Sequence, residues 1–265
     1  MDTIVIAVIS VASIGLLCAV ILAVASKMMA SGVDEQVARL RACMPGANCG
    51  ACGFAGCDSY AVALSDGGTA ANLCIPGGNE LVKQISDILG IESGEGIARR
   101  VAVVHCMGDH DTKRAKMEYF GIHTCVAENL LFGGKSACTF GCNGFGDCAA
   151  VCPSSAICVE KGLARIDTRK CSGCELCMKI CPNNVIAIED GSITFIVKCR
   201  NTEKGAIMKD KCLIGCIGCG RCVKVCPTQA IAVTDFLATI DYDKCTGCGK
   251  CVDVCVKGCI VPTTA

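Results

Sequence analysis

Twenty-eight of the 265 residues are cysteines, many of them in tight Cys-x2-Cys runs. Thiolates hold soft metals and iron–sulfur clusters, so their spacing decides which chemistry is available. Cys171-x2-Cys174-x2-Cys177-x3-Cys181-Pro182 and Cys216-x2-Cys219-x2-Cys222-x3-Cys226-Pro227 carry the spacing of paired [4Fe–4S] sites. Three close thiolates cap one face of a cubane. The fourth, turned away by the chain that follows, serves the other cluster of the pair.

The pattern is written twice. Cys138, Cys142, Cys148, Cys152, Cys171, Cys174, Cys177 and Cys181 recur 74 positions later as Cys212, Cys216, Cys222, Cys226, Cys245, Cys248, Cys251 and Cys255. Pro153, Ala156-Ile157 and Asp167 recur with them as Pro227, Ala230-Ile231 and Asp241, which marks tandem copies of one unit. The crossing rule assigns Cys216, Cys219, Cys222 and Cys255 to one cluster and Cys226, Cys245, Cys248 and Cys251 to another. In the first copy Cys152, Cys171, Cys174 and Cys177 make a complete set. The remaining set is short of a thiolate, because Phe145 stands where the second copy has Cys219. Cys138, four residues before Cys142, is expected to supply it, giving Cys138, Cys142, Cys148 and Cys181. Otherwise the site would hold three irons or a non-cysteine ligand. Cys212 is then surplus.

A fifth set lies upstream in Asn48-Cys49-x2-Cys52-x4-Cys57 with Cys74, so the expected cofactors are five [4Fe–4S] clusters. Zinc is the competing metal for Cys-x2-Cys pairs, but runs of four cysteines followed by Pro in crossed pairs fit iron–sulfur ligation better. Cys18 reads as a small apolar residue. Cys43, Cys106, Cys125, Cys158, Cys199, Cys212 and Cys259 read as buried thiols, the alternative being a further set from Cys106, Cys125, Cys199 and Cys212. His105, His110 and His123 lack metal spacing. No catalytic residue is assigned: no Ser/His/Asp or paired-carboxylate constellation stands out, and no P-loop or Gly-x-Gly-x-x-Gly supports nucleotide binding.

The elements that must position these ligands are modest. The fold class expected is α+β, with one N-terminal transmembrane helix, a small mostly helical [4Fe–4S] domain and two tandem ferredoxin-like two-cluster modules. The domains fall at 1–30 (anchor), 31–90 ([4Fe–4S] domain), 91–135 (bridging region), 136–195 and 196–265 (the two modules). Residues 4–25 are apolar and as a helix extend roughly 33 Å, a bilayer's thickness. No Lys or Arg precedes this segment whereas Lys27, Arg39 and Arg41 follow it. The positive-inside rule thus places a single-pass protein in the cytoplasmic membrane, soluble part inside, with lipid as a contact. Helices are expected over 34–42, 58–65 and 79–89 and a strand over 102–105, with hairpins at 156–159/164–167 and 230–234/237–241.

The formal net charge is zero, which argues against a nucleic-acid partner. The charge is uneven, however. Residues 196–227 carry seven basic side chains (Lys198, Arg200, Lys204, Lys209, Lys211, Arg221, Lys224) against Glu203 and Asp210, either a solvated face or a landing patch for an acidic redox partner.

In this order the apolar segment, the Cys49 to Cys74 motif, the Cys138-Thr139-Phe140-Gly141-Cys142-Asn143-Gly144-Phe145-Gly146-Asp147-Cys148 element and the ferredoxin pairs resemble the B subunit of the Rnf complex. The resemblance covers nearly the whole chain. It implies an electron-transfer subunit of a membrane-bound ferredoxin:NAD oxidoreductase, a translocase coupling electron flow to sodium or proton movement. The subunit would accept electrons from soluble reduced ferredoxin and pass them to integral membrane and flavin-bearing subunits. Many relatives have one ferredoxin module, and the second copy here departs from that shorter form. Two other readings use the same residues: a polyferredoxin subunit of a hydrogenase or formate-type membrane oxidoreductase, and a zinc-stabilised membrane adaptor.

With aromatics at 4% and no Trp, ligation must substitute for packing, so cluster binding contributes much of the folding free energy. Stripping the iron with a chelator is expected to abolish most of the secondary structure. Far-UV circular dichroism before and after would check this, and an unchanged spectrum would contradict it.

Overall fold

The computed structural model describes residues 2–29, 35–92 and 96–263. Helix α1 (Asp2–Met29) covers the N-terminal apolar segment. Among the described residues no helix is long and apolar enough to cross a membrane. This corrects the expectation of a transmembrane helix over 4–25.

The first cysteine motif is embedded in three helices, α2 (Glu35–Cys43), α3 (Cys57–Ser65) and α4 (Gly78–Leu89). Leu81 and Ile85 of α4 recur at helical spacing and turn inward onto Leu40, Tyr60, Ala61 and Leu64. Gly90 ends α4 in the left-handed conformation.

The chain then enters β1 (Arg100–Val104), followed by the short helices α5 (Cys125–Asn129) and α6 (Asp147–Ala150). The hairpin β2 (Ile157–Glu160) and β3 (Leu163–Ile166), helix α7 (Leu176–Ile180) and strand β4 (Ile186–Asp190) complete the first module. The second runs β5 (Phe195–Val197), α8 (Gly205–Lys211), α9 (Arg221–Val225), β6 (Ile231–Thr234), β7 (Leu237–Ile240), α10 (Lys250–Asp253) and β8 (Ile260–Pro262). Four two-stranded antiparallel sheets result, β2–β3 and β6–β7 as hairpins, β1–β4 and β5–β8 as closures.

The repeat survives in the hydrogen bonds. Asp167 N–H donates to Ala156 O at 2.8 Å and Asp241 N–H to Ala230 O at 2.7 Å. His105 N–H donates to Val185 O and Lys198 N–H to Cys259 O, both at 2.7 Å. The second pair is informative because 185 and 259 differ by 74 whereas 105 and 198 differ by 93. β1 and β5 are therefore equivalent strands. The first copy carries nineteen extra residues, since 107–137 correspond to 200–211. Strand β1, from the segment expected to bridge, pairs with β4 of the first module. Val101 and Val103 on β1 then meet Ile196 on β5 in a shared apolar contact that joins the two modules.

Each ligand loop presses on its hairpin. Gly144 has φ +81°, and a β-carbon there would overlap the carbonyl of Gly162. At the repeated position, Gly218 with φ +63°, it would come within 2.7 Å of Phe236 O. Backbone cannot move aside as a side chain can, and left-handed φ strains any L-residue. Gly144→Ala is expected to destabilise the cluster-loaded protein by about 1–3 kcal/mol or more. Gly68→Ala, with only an ordinary 3.6 Å contact at Ala63 O, should change little. Thermal unfolding under anaerobic conditions compares the two.

Candidate metal centres

The upstream set is held by the loop before α3. Asn48, with φ +45°, turns its side chain back so that Oδ1 accepts from Cys57 N–H at 2.8 Å, closing Cys49 and Cys52 against Cys57. Tyr60, 1% exposed, donates its hydroxyl to Ala70 O at 2.8 Å and accepts from Leu73 N–H at 3.4 Å, fixing the approach to Cys74. Burial pushes the Cys74 thiol up to about 11, and the neighbouring Cys49, Cys52 and Cys57 sulfurs add to the rise. The four expected cysteines thus share one locus.

In the modules the cysteines of three of the expected sets lie close together. Cys177 is pushed up to about 12 by burial and by Cys171, Cys174 and the crossing Cys152. Cys251 is raised by burial and by Cys245, Cys248 and the crossing Cys226. Cys216, Cys219, Cys222 and Cys255 rim a small cavity. Backbone amides point at sulfur in matching positions: Ala156 N–H to Cys152 Sγ at 3.4 Å and Ala230 N–H to Cys226 Sγ at 3.3 Å. Such donors stabilise thiolate charge and tune a bound cluster.

The remaining set departs from expectation. Cys142, Cys148 and Cys181 rim a small cavity together with Cys125, not Cys138. Burial pushes Cys148 up to about 12, and the Cys142, Cys125, Cys181 and Cys177 sulfurs add to the rise. The correction has a local cause. Asp147 lies at the start of α6 and its carboxylate accepts from Cys125 N–H at 3.0 Å and Val126 N–H at 3.2 Å, so it clamps the first turn of α5 onto the ligand loop. Asn143 Nδ2 donates to Cys125 O at 3.2 Å, and the amides of Asp147, Phe145 and Gly146 face the Cys125 sulfur. Phe145, at the position of Cys219, turns its ring onto Tyr119 and His123 under the Lys135 ammonium. The extra nineteen residues of the first copy thus bring the sulfur that Phe145 lacks. Cys138 lies at a different cavity, with Cys106, Cys199 and Cys212.

Among the described residues no group of three or more His, Cys, Asp or Glu side chains closes on a single metal ion. Cys259 is a fifth thiol at the Cys216 cavity, its sulfur 3.6 Å from that of Cys255. Its coupling to Cys216 lowers that thiol and raises its own. Cys43 donates to Leu40 O, and Cys158 is exposed on β2. His105 spans the modules, with Nδ1 2.9 Å from Val197 O and Nε2 3.4 Å from Glu189.

Four-sulfur sets, amides aimed at sulfur and cavities of similar size define an iron–sulfur protein of the polyferredoxin class. Family models agree: an Fe-S cluster model matches 44–76, and two 4Fe-4S dicluster domain models match 170–231 and 215–259. The 170–231 match joins two consecutive runs that the structure divides between modules. The chain is 39% identical over 231 residues to the B subunit of the Na+-translocating ferredoxin:NAD+ oxidoreductase complex of Acetobacterium woodii, covering 87% of this chain and 69% of that one. It is 40% identical to the B subunit of the proton-translocating ferredoxin:NAD+ oxidoreductase complex of Clostridium ljungdahlii (81% and 76% covered). To the B subunit of the ion-translocating oxidoreductase complex of Methanosarcina acetivorans it is 37% identical (88% and 88%). The chain belongs to this family, the B subunits of Rnf-type complexes, and is an iron–sulfur electron-transfer subunit.

Replacing Cys125 by Ala is expected to remove about four irons and four sulfides per chain, whereas Cys43→Ala should remove none. Metal and acid-labile sulfide analysis of anaerobically purified variants distinguishes this from loss on Cys138→Ala alone.

Proposed function

We propose that the chain accepts electrons from reduced soluble ferredoxin and passes them to integral membrane and flavin-bearing subunits of an ion-translocating ferredoxin:NAD oxidoreductase complex. The observation that carries this reading is the succession of four-cysteine sets through three contiguous units. Five sets are assigned to [4Fe–4S] clusters: Cys49/Cys52/Cys57/Cys74, Cys152/Cys171/Cys174/Cys177, Cys125/Cys142/Cys148/Cys181, Cys216/Cys219/Cys222/Cys255 and Cys226/Cys245/Cys248/Cys251. Such clusters, when bound, supply one-electron carriage. The chain's own residues set the order, burial and hydrogen bonding of the ligands, and none forms a stand-alone active site.

Contacts between units support a continuous route. Lys179, two residues beyond Cys177, donates Nζ to Cys49 O at 3.4 Å, and Ile75 next to Cys74 faces Gly173 next to Cys174. Ala102 N–H on β1 donates to Cys171 Sγ at 3.3 Å. The many cysteines and the lack of disulfides among them suit a reducing compartment and support a cytoplasmic side for the cluster-bearing part, with membrane association through partner subunits. Relatives named for sodium and for proton translocation match about equally well.

The donor's landing face is assigned to the basic stretch. Lys204, Lys209, Arg221 and Lys224 are exposed, while Lys211 is paired with Glu203 and Lys198 is half-buried. Charge steering acts on encounter rate more than on affinity. Neutralising Lys204, Lys209 and Lys224 together is expected to slow association of reduced ferredoxin by roughly tenfold at low salt and to flatten its salt dependence. Stopped-flow oxidation of ferredoxin reads both, and an unaltered rate at low ionic strength would remove this face from the reading.

A further inference from the structure

Four cysteines outside those five sets meet at one place. Cys106, Cys138, Cys199 and Cys212 rim a small cavity, close in size to the cavities at the Cys142 and Cys216 sets. Cys138, Cys199 and Cys212 are buried and Cys106 is half-buried. Asn201, 1% exposed, donates Nδ2 to Cys138 Sγ at 3.4 Å. The Lys113 ammonium lies near both Cys106 and Cys212 and reaches the Cys142 carbonyl. A buried amide aimed at sulfur and a cation beside two thiols are what a thiolate set needs and what an inert apolar core would exclude.

The set obeys the internal symmetry. Cys138 and Cys212 are repeat mates at the 74-residue shift. Cys106 and Cys199 are mates at the 93-residue shift, each two positions past the equivalent ends of β1 and β5. Each module therefore contributes one pair, and the cavity sits where the two copies face one another. The flanking bonds are also matched. Cys142 N–H donates to Cys106 Sγ at 3.5 Å and Cys216 N–H donates to Cys199 Sγ at 3.3 Å. On each side a single amide separates this set from a ligand of a neighbouring one.

We propose that Cys106, Cys138, Cys199 and Cys212 ligate a further [4Fe–4S] cluster at the contact between the two modules, joining the Cys142 set to the Cys216 set. This rests on the iron–sulfur reading of the other five sets. It accounts for Cys138 and Cys212 keeping the repeat although neither belongs to a set within its own module.

The test uses the full chain purified anaerobically. Unmutated protein should hold about 24 irons and 24 sulfides, and Cys138→Ala and Cys212→Ala should each lose about four of both, while Cys158→Ala loses none. About 20 of each, with both variants unchanged, would overturn the sixth site and leave the electron-transfer reading intact. A single zinc lost on Cys212→Ala would also overturn it, while a chain without iron would sink both readings. Reductive titration of the unmutated chain does not depend on any variant folding: six one-electron centres support the proposal and five refute it.

Discussion

Thiolate ligation is the constraint on which this molecule depends. Cysteines make up a third of the buried cluster of the first module and half of that of the second: Cys142, Cys148 and Cys177 stand among Ala102, Leu163, Val185 and Ile186, and Cys199, Cys216, Cys222 and Cys259 among Val197, Ile231 and Ile260. Remove the sulfurs and each module keeps a pair of two-stranded sheets, too little to stand alone in water. Packing and cofactor binding are thus one event, and the fold supplies what the cofactor needs mainly by curling ligand loops tightly against hairpins.

Duplication gave two copies of that solution, and the first copy then diverged. Phe145 stands where the second copy has Cys219, and residues 107–137 bring Cys125 on α5 to the cavity of Cys142, Cys148 and Cys181. Asp147 makes the exchange work, since its carboxylate satisfies the two free amides that begin a very short helix. The same four-sulfur chemistry is reached by a local run in one copy and by a clamp across 23 residues of chain in the other.

The two copies meet along a surface that is both apolar and sulfur-bearing. Val101, Val103 and Ile196 seal one part, while the Cys106/Cys138/Cys199/Cys212 cavity occupies another. Equivalent strand ends contribute on both sides, so an interface built by duplication presents matching ligand pairs without further design. On the outer face, exposed Phe120, Leu130 and Phe132 belong to the same insertion that carries Cys125, which places the first copy's divergence at the surface as well as at the metal.

The cysteine spacing alone made the iron–sulfur ligand class and the duplication legible, because a cubane tolerates few loop lengths. The helix over 79–89, the strand near 102–105 and both hairpins were likewise readable from hydrophobic period and turn residues. Tertiary structure decided the rest. Choosing Cys125 over Cys138 required knowing that Asp147 pins α5 to the loop, a contact across a segment with no repeat mate to reveal it. The pairing of Cys106 with Cys199 was hidden because their 93-residue separation differs from the repeat by the length of the insertion, although Val103-Val104-His105-Cys106 and Ile196-Val197-Lys198-Cys199 share an apolar pair before the cysteine. The N-terminal segment shows the converse: apolar composition indicated a membrane span, whereas among the described residues no helix is long and apolar enough to cross a membrane. Spacing along the chain governs ligands that are neighbours in sequence; only the fold brings together sulfurs supplied by different copies.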